Sequence, residues 1–240
     1  MSAADQAHAD DHAHADDGHG HGHHGPKWLA HHFDTPAQQF DAAKLGMWAF
    51  LVQELLFFSG LFVAYGVYRS WYPEMFKAAS HQLDKIMGAT NTIVLLFSSF
   101  TAAMAVRSTQ LGKKNQTSGY LVVTILCACA FLVIKFFEYS HKFSAGLLPG
   151  RFYHPHVEHL VQGAPPLPPN TGSFFSIYFM MTGVHGVHVA VGIGVLLWIL
   201  KRNIRGDFSK EYFTAVDLAA LYWHLVDLVW IYLFPLLYLI

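Results

Sequence analysis

Five stretches of this sequence, near Leu45–Tyr68, Ile86–Val106, Gly119–Phe137, Phe174–Leu200 and Thr214–Ile240, are long and apolar enough to cross a lipid bilayer, which takes about 20 helical residues. No other feature restricts the fold so much. In hydrocarbon every backbone N–H and C=O must find its partner within the protein, so a spanning segment is either a helix or a strand of a closed barrel. Barrel strands would be short and alternate in polarity, and these runs do neither. The expected fold is therefore all-α, a polytopic membrane bundle of five transmembrane helices. Composition agrees: 53% of the 240 residues are hydrophobic and 13% charged, about half the charge of an ordinary globular domain. Fifteen basic residues against sixteen acidic ones give no reason to expect a nucleic-acid partner.

Outside the spans the chain is plain. Residues 1–30 form an acidic, histidine-rich stretch with no basic n-region or apolar h-region, so no cleavable signal is expected. Its low complexity predicts a disordered tail, leaving residues 31–240 as the membrane domain. With the N-terminus cytoplasmic, nine Lys and Arg residues fall on the inner side and five on the outer. That excess predicts N-in and C-out. The longest connection, Ser140 to Thr171, carries His154, His156 and His159, which read as exposed loop histidines. Cys127 and Cys129 point about 200° apart on a helix, so they cannot pair, and they read as small core residues.

Ionisable groups inside hydrocarbon are costly and each needs an explanation. Glu54 lies ten residues past Lys44, about 15 Å into the first span, with Phe50, Leu51, Phe57 and Phe58 around it. That setting penalises the charged form. Two readings follow, a neutral carboxyl hydrogen-bonded to a neighbouring helix, with Asn91 or Thr92 as acceptor, or a proton relay. The remaining polar groups come in pairs three residues apart on one helix: Glu138 and His141, with Lys135 three residues earlier; His185 and His188; His224 and Asp227, with Asp217 on roughly the same side. Each pair can partly satisfy itself or grip something at the helix surface.

In the fourth span Gly183, Gly186, Ala190 and Gly194 fall within an arc of about 80°. Such a ridge predicts close helix packing, with His185 and His188 on the opposite face, turned to a partner or to lipid. A redox core would need matching axial ligands on other spans. Only His224 is otherwise well inside one, too few ligands for two haems and a copper. The rival reading is a single zinc or haem on these three histidines; the favoured one is packing, hydrogen bonding or lipid contact.

Taken together, the motifs resemble subunit III of the haem–copper oxidases, the cytochrome c and quinol oxidases. TGVHGVHVAVG is similar to that family's fourth-core-helix signature, and YWHLVDLVWIYLFPLLYL to its last helix. HHFDTPAQQFDAAKLGMWAFLVQELLFFSGLF resembles the approach and first core helix of the bacterial five-helix form. NTIVLLFSSFTAAMA is similar to the next helix, and KFFEYSHKF contains the family's Glu-Tyr step. The match runs in unbroken order from about His31. The resemblance implies an accessory subunit that packs beside the catalytic subunit, carries no redox centre or metal, and has no catalytic residue of its own. Haem and copper would reside in its partners, subunit I (the main contact) and subunit II, with other respiratory-complex subunits further off. It places Glu54 on the family's carbodiimide-reactive buried carboxyl. It makes Glu138, His141, His185, His188, His224 and Asp227 lipid-facing or polar-network groups, with bound phospholipid, in a bacterial plasma membrane. Lys135 stands where many members have an uncharged residue, which bears on what Glu138 pairs with. Alternatives are the related subunit of a quinol oxidase or nitric oxide reductase. A transporter would show broken helices and inverted repeats, and a haem-binding membrane enzyme would show haem absorbance in the isolated chain.

Overall fold

A computed structural model describes residues 29–30, 32–156, 160–161 and 165–240. Nearly all of the expected tail, and His159, lie outside the described residues. The described residues divide into two units, one up to Gln39 and one from Phe40 to Ile240. In the first, Thr35 Oγ1 accepts from the Gln38 N–H at 3.2 Å, and Gln38 Oε1 from the Asp34 N–H at 2.9 Å. This capping pattern starts helix α1, Pro36–Trp71.

The other helices are α2 (Pro73–Ser80), α3 (Lys85–Gln110), α4 (Lys114–Ser144), α5 (Gly172–Arg205) and α6 (Thr214–Tyr238). The described residues contain no strand, only an isolated bridge between Leu147 and Tyr153. All but α2 are long and apolar enough to cross a membrane, as the sequence predicts. Each matches an expected span but mostly overruns it, because the apolar run marks only the length in hydrocarbon. The helix itself continues until its end groups are satisfied. Thus α3 starts where Asp84 Oδ1 accepts from the N–H groups of Ile86 and Met87. Helix α5 ends at Gly206, whose φ of 89° lets its N–H reach back to Arg202 and Asn203, a left-handed terminus that suits glycine. Helix α2 was not anticipated. Its signal was present, a proline at the first helical position and Met75, Phe76 and Ala79 on one buried side.

The core lies among α3, α4, α5 and α6, where Leu95, Phe131, Val189, Trp223 and Trp230 are buried. Short polar contacts fasten these helices without water. Thr101 meets Thr124 at 2.8 Å and Thr109 meets Thr117 at 3.2 Å between α3 and α4. The indoles of Trp223 and Trp230 donate to Ser98 and Thr92 of α3. Helix α1 differs. Only Leu51, Phe58 and Tyr65 are buried along its length, seven residues apart, so it lies on the bundle along a single narrow seam.

Two expectations about faces are corrected. The buried stripe of α5 runs through Met181, His185, Val189, Gly192, Leu196 and Ile199. The Gly183–Gly186–Ala190–Gly194 ridge turns outward, and beyond the helix's own adjacent backbone no atom of the described residues lies within 4 Å of a Cβ placed at Gly186 or Gly194. The glycine that does allow close approach is Gly192, where a Cβ would lie 2.6 Å from Cζ3 of Trp223. Neither cysteine is in the core: Cys127 is half-buried and Cys129 exposed. Gly192→Ala must push the Trp223 ring aside and is expected to cost about 1–3 kcal/mol. Gly186→Ala is expected to be neutral within the chain. Thermal unfolding of the two variants, measured in the same detergent, checks this.

Candidate functional site

Three polar contacts hold α1 against α5 and α6. Near one end the Lys44 ammonium lies 3.3 Å from Asp217 of α6. Ten residues on, Glu54 Oε2 meets His188 Nε2 of α5 at 3.0 Å. Eleven further, the Tyr65 hydroxyl donates to the carbonyl of Leu236, one of the last carbonyls of α6 that has no intrahelical partner. From Lys44 to Tyr65 the helix rises roughly 30 Å, the thickness of the hydrocarbon core. The three contacts are therefore spread over a length equal to that thickness, one near each end and one near the middle. Between them α1 stands away from its neighbours. An apolar cleft of about 400 Å³ opens between the first and second contacts, lined by Met47, Phe50, Val191, Val195, Trp198 and Leu218 among others. A smaller one of about 140 Å³, with Leu61, Ile177 and Met180 on its walls, lies beyond Glu54.

The central contact defines a proton position. His188 Nδ1 is 2.8 Å from the Val184 carbonyl, which can only accept, so Nδ1 carries a hydrogen. If the ring is neutral, Nε2 is then an acceptor and Glu54 must be the protonated donor. If the ring is charged, Nε2–H donates to the Glu54 carboxylate. A carboxylate facing a neutral ring of this tautomer would set lone pair against lone pair at 3.0 Å. Each of those two arrangements places one proton between Oε2 and Nε2 and leaves the pair without net charge. Side-chain exposures of 12% for Glu54 and 20% for His188, with the Phe58 ring edge-on at 5.0 Å, keep this position mostly dry. The Tyr222 hydroxyl of α6 donates to the His188 carbonyl at 3.0 Å, tying the third helix to the same point. The expected acceptors are thus corrected: the partner of Glu54 is His188, whereas Thr92 takes the Trp230 indole.

A second polar cluster is fully internal. Lys135 Nζ donates to Glu138 Oε2 at 2.9 Å and to the Tyr238 hydroxyl at 2.7 Å. Tyr178 and Tyr238 donate to Glu138 Oε1 at 2.9 and 2.6 Å. The ammonium also lies 4.5 Å from the centre of the Trp230 ring, a favourable cation–π position. Lys135 is what Glu138 pairs with, and the cluster joins α4, α5 and α6.

In the pairs Glu138–His141, His185–His188 and His224–Asp227 the structure separates the members, unlike Lys135 and Glu138. Glu138 is buried and His141 exposed; His185 is buried and His188 half-buried; Asp227 is buried and His224 half-buried. His185 lies between the rings of Phe131 and Trp230, and neither of its ring nitrogens meets a hydrogen-bonding group of the described residues. His224 Nδ1 instead pairs with Ser99 Oγ at 2.7 Å. The three histidines of the rival metal reading each have different surroundings, and His188 has both nitrogens engaged. Among the described residues no three His, Cys, Asp or Glu side chains gather as a metal site. Sequence reasoning missed Tyr65, Tyr178 and Tyr238. Their hydroxyls are the only sign of a polar role in otherwise apolar runs, and such tyrosines look the same as lipid-facing ones.

Known proteins bear on what such a site belongs to. Residues 166–240 match the family model described as cytochrome c oxidase subunit III. The cytochrome c oxidase subunit 3 of Synechocystis sp. is 30% identical over 224 residues, covering 93% of this chain and 81% of its own length. The probable quinol oxidase subunit 3 of Staphylococcus haemolyticus is 26% identical over 207 residues, 86% of this chain and 93% of its own. The probable cytochrome c oxidase subunit 3 of Mycobacterium leprae is 30% identical over 201 residues, 82% and 87% respectively.

Proposed function

The chain belongs to the subunit III family of haem–copper oxidases, and from that premise we propose that it serves as a cofactor-free brace for the catalytic subunit of a terminal oxidase. It is a multi-pass membrane protein and a subunit of an oxidase complex; a quinol oxidase fits the relatives as well as a cytochrome c oxidase. The observation that carries the proposal is the manner in which α1 is held. A helix fastened at three levels and otherwise open leaves a broad apolar face and two clefts for other occupants. Phospholipid chains fill the clefts between α1, α5 and α6, and subunit I, with subunit II nearby, covers the outward faces. The Glu54–His188 pair keeps α1 in register across the membrane, so that proton uptake and oxygen access in the catalytic subunit stay steady over many turnovers. In this reading the membrane is a bacterial plasma membrane, with the chain N-in and C-out.

The test is to purify the native complex through this chain and record its optical spectrum. The complex is expected to contain haem and copper, and the chain separated from it to contain neither. Stoichiometric metal or haem retained by the separated chain overturns the reading.

A further inference from the structure

At the membrane surface where α3 begins and α4 ends, a cavity of about 450 Å³ is lined by His81, Asp84, Lys85, His141 and Lys142, among others. Directly beside it, an apolar groove of about 320 Å³ runs between the same two helices, with Ile86, Met87 and Thr90 on one wall and Ile134 and Phe137 on the other. Ile86 and His141 line both, so the polar cavity and the groove are adjacent. We propose that the two together form a binding site for one anionic phospholipid, headgroup phosphate in the cavity and an acyl chain in the groove. The site lies on α3 and α4, away from the clefts beside α1.

The charges fix the headgroup class. Among the described residues Asp84 is the one carboxylate lining the cavity, and its Oδ1 already accepts from two backbone N–H groups at the start of α3. Lys85 is exposed. Lys142 is buried at 7% exposure and gives one hydrogen to the Gln82 carbonyl, out of the three an ammonium carries. Two lysines against one carboxylate leave the described lining net positive, although Lys142 also feels the Glu138 carboxylate, and His81 and His141 add ring N–H donors. The geometry fixes the occupant. Residues 134–141 rise about 10 Å, which covers most of the roughly 15 Å depth of one leaflet. Ile86 and Phe137 are 79% and 55% exposed, so the groove faces hydrocarbon. A chain in hydrocarbon joined to an anion at the surface is a lipid. The inference requires only that the chain spans a membrane; its failure would leave the oxidase assignment untouched.

The experiment uses the native complex in nanodiscs with phosphatidylglycerol carrying a photoactivatable group in mid-chain. Crosslinking is expected on the α4 wall near Ile134 and Phe137, with phosphatidylcholine labelling it less. Lys85→Gln should lower the labelling about fivefold, the worth of one lysine near an anionic headgroup. Thr90→Phe, at an exposed position, should block the groove and abolish this label, with the haem spectrum and subunit content unchanged. Millimolar inorganic phosphate should not displace the lipid. Three results would overturn the proposal: equal labelling in Lys85→Gln, label confined to other helices, or displacement by inorganic phosphate, which would mark a free-anion site. Failure to label α4 at all, because another subunit occupies the groove, would also refute it.

Discussion

Replacing Lys135 by Ala is expected to strip this subunit from its complex at temperatures the parent withstands, and Glu138→Ala to do the same. Each removal leaves the other charge buried, at 1% exposure for Glu138 and 7% for Lys135. Breaking a buried pair from one side typically costs about 3–5 kcal/mol. Here Glu138 would still hold its two tyrosine donors, so Lys135→Ala belongs at the lower end. Glu138→Ala leaves the ammonium among Tyr178, Tyr238 and Trp230 with no anion and belongs at the upper end. The double substitution Lys135→Met with Glu138→Gln removes both charges and keeps most of the volume. It is expected to be milder than Glu138→Ala alone, since apolar replacement of a buried pair is often neutral. Subunit retention after graded heating measures all four proteins. A double variant that loses the subunit at a lower temperature than Glu138→Ala would show that the two charges are not coupled in this way.

The second large effect belongs to the middle contact. Glu54→Ala leaves His188 Nε2 facing an apolar gap, which costs about 1–3 kcal/mol for the orphaned group, with a further cost for the cavity. The expected total is about 2–4 kcal/mol, seen as loss of the subunit during turnover. Glu54→Gln is expected to retain assembly and initial oxygen consumption, because its amide N–H donates to the neutral ring as a protonated carboxyl does. The coupling from a double-mutant cycle of Glu54→Ala and His188→Ala is expected near 1 kcal/mol, between the mean of about 0.6 and the maximum of about 1.7 kcal/mol found for interhelical hydrogen bonds in membranes. Infrared difference spectra against Glu54→Gln distinguish the two proton positions, since only the neutral carboxyl shows an acid carbonyl stretch. If Glu54→Gln abolishes oxygen consumption from the first cycle while the complex stays whole, the carboxyl is an obligatory proton carrier and the bracing role is wrong.

The number of spans, the polar residues within them and the resemblance to a family were all legible in the sequence, because each depends on quantities that a chain carries along its length. Twenty apolar residues must cross as helix whatever surrounds them. A carboxyl ten residues past the membrane edge must lie near the middle. Lys135 and Glu138, three apart on one helix, were bound to be neighbours. The tertiary structure decided what helical spacing cannot. Angles about the axis of α5 correctly set its small residues opposite its histidines, but they do not say which side faces in. In water the apolar side would answer that. In a bilayer lipid tails are as apolar as leucine, so no hydrophobic difference separates an inward face from an outward one. The histidine face therefore went into the core on the fit of Gly192 against Trp223 and of His185 between Phe131 and Trp230, while the ridge turned outward. For the same reason Glu54 found His188, which is 134 residues away, and not the polar residues of the next span. That choice was made by the packing of α1 across α5, a contact that no single helix encodes.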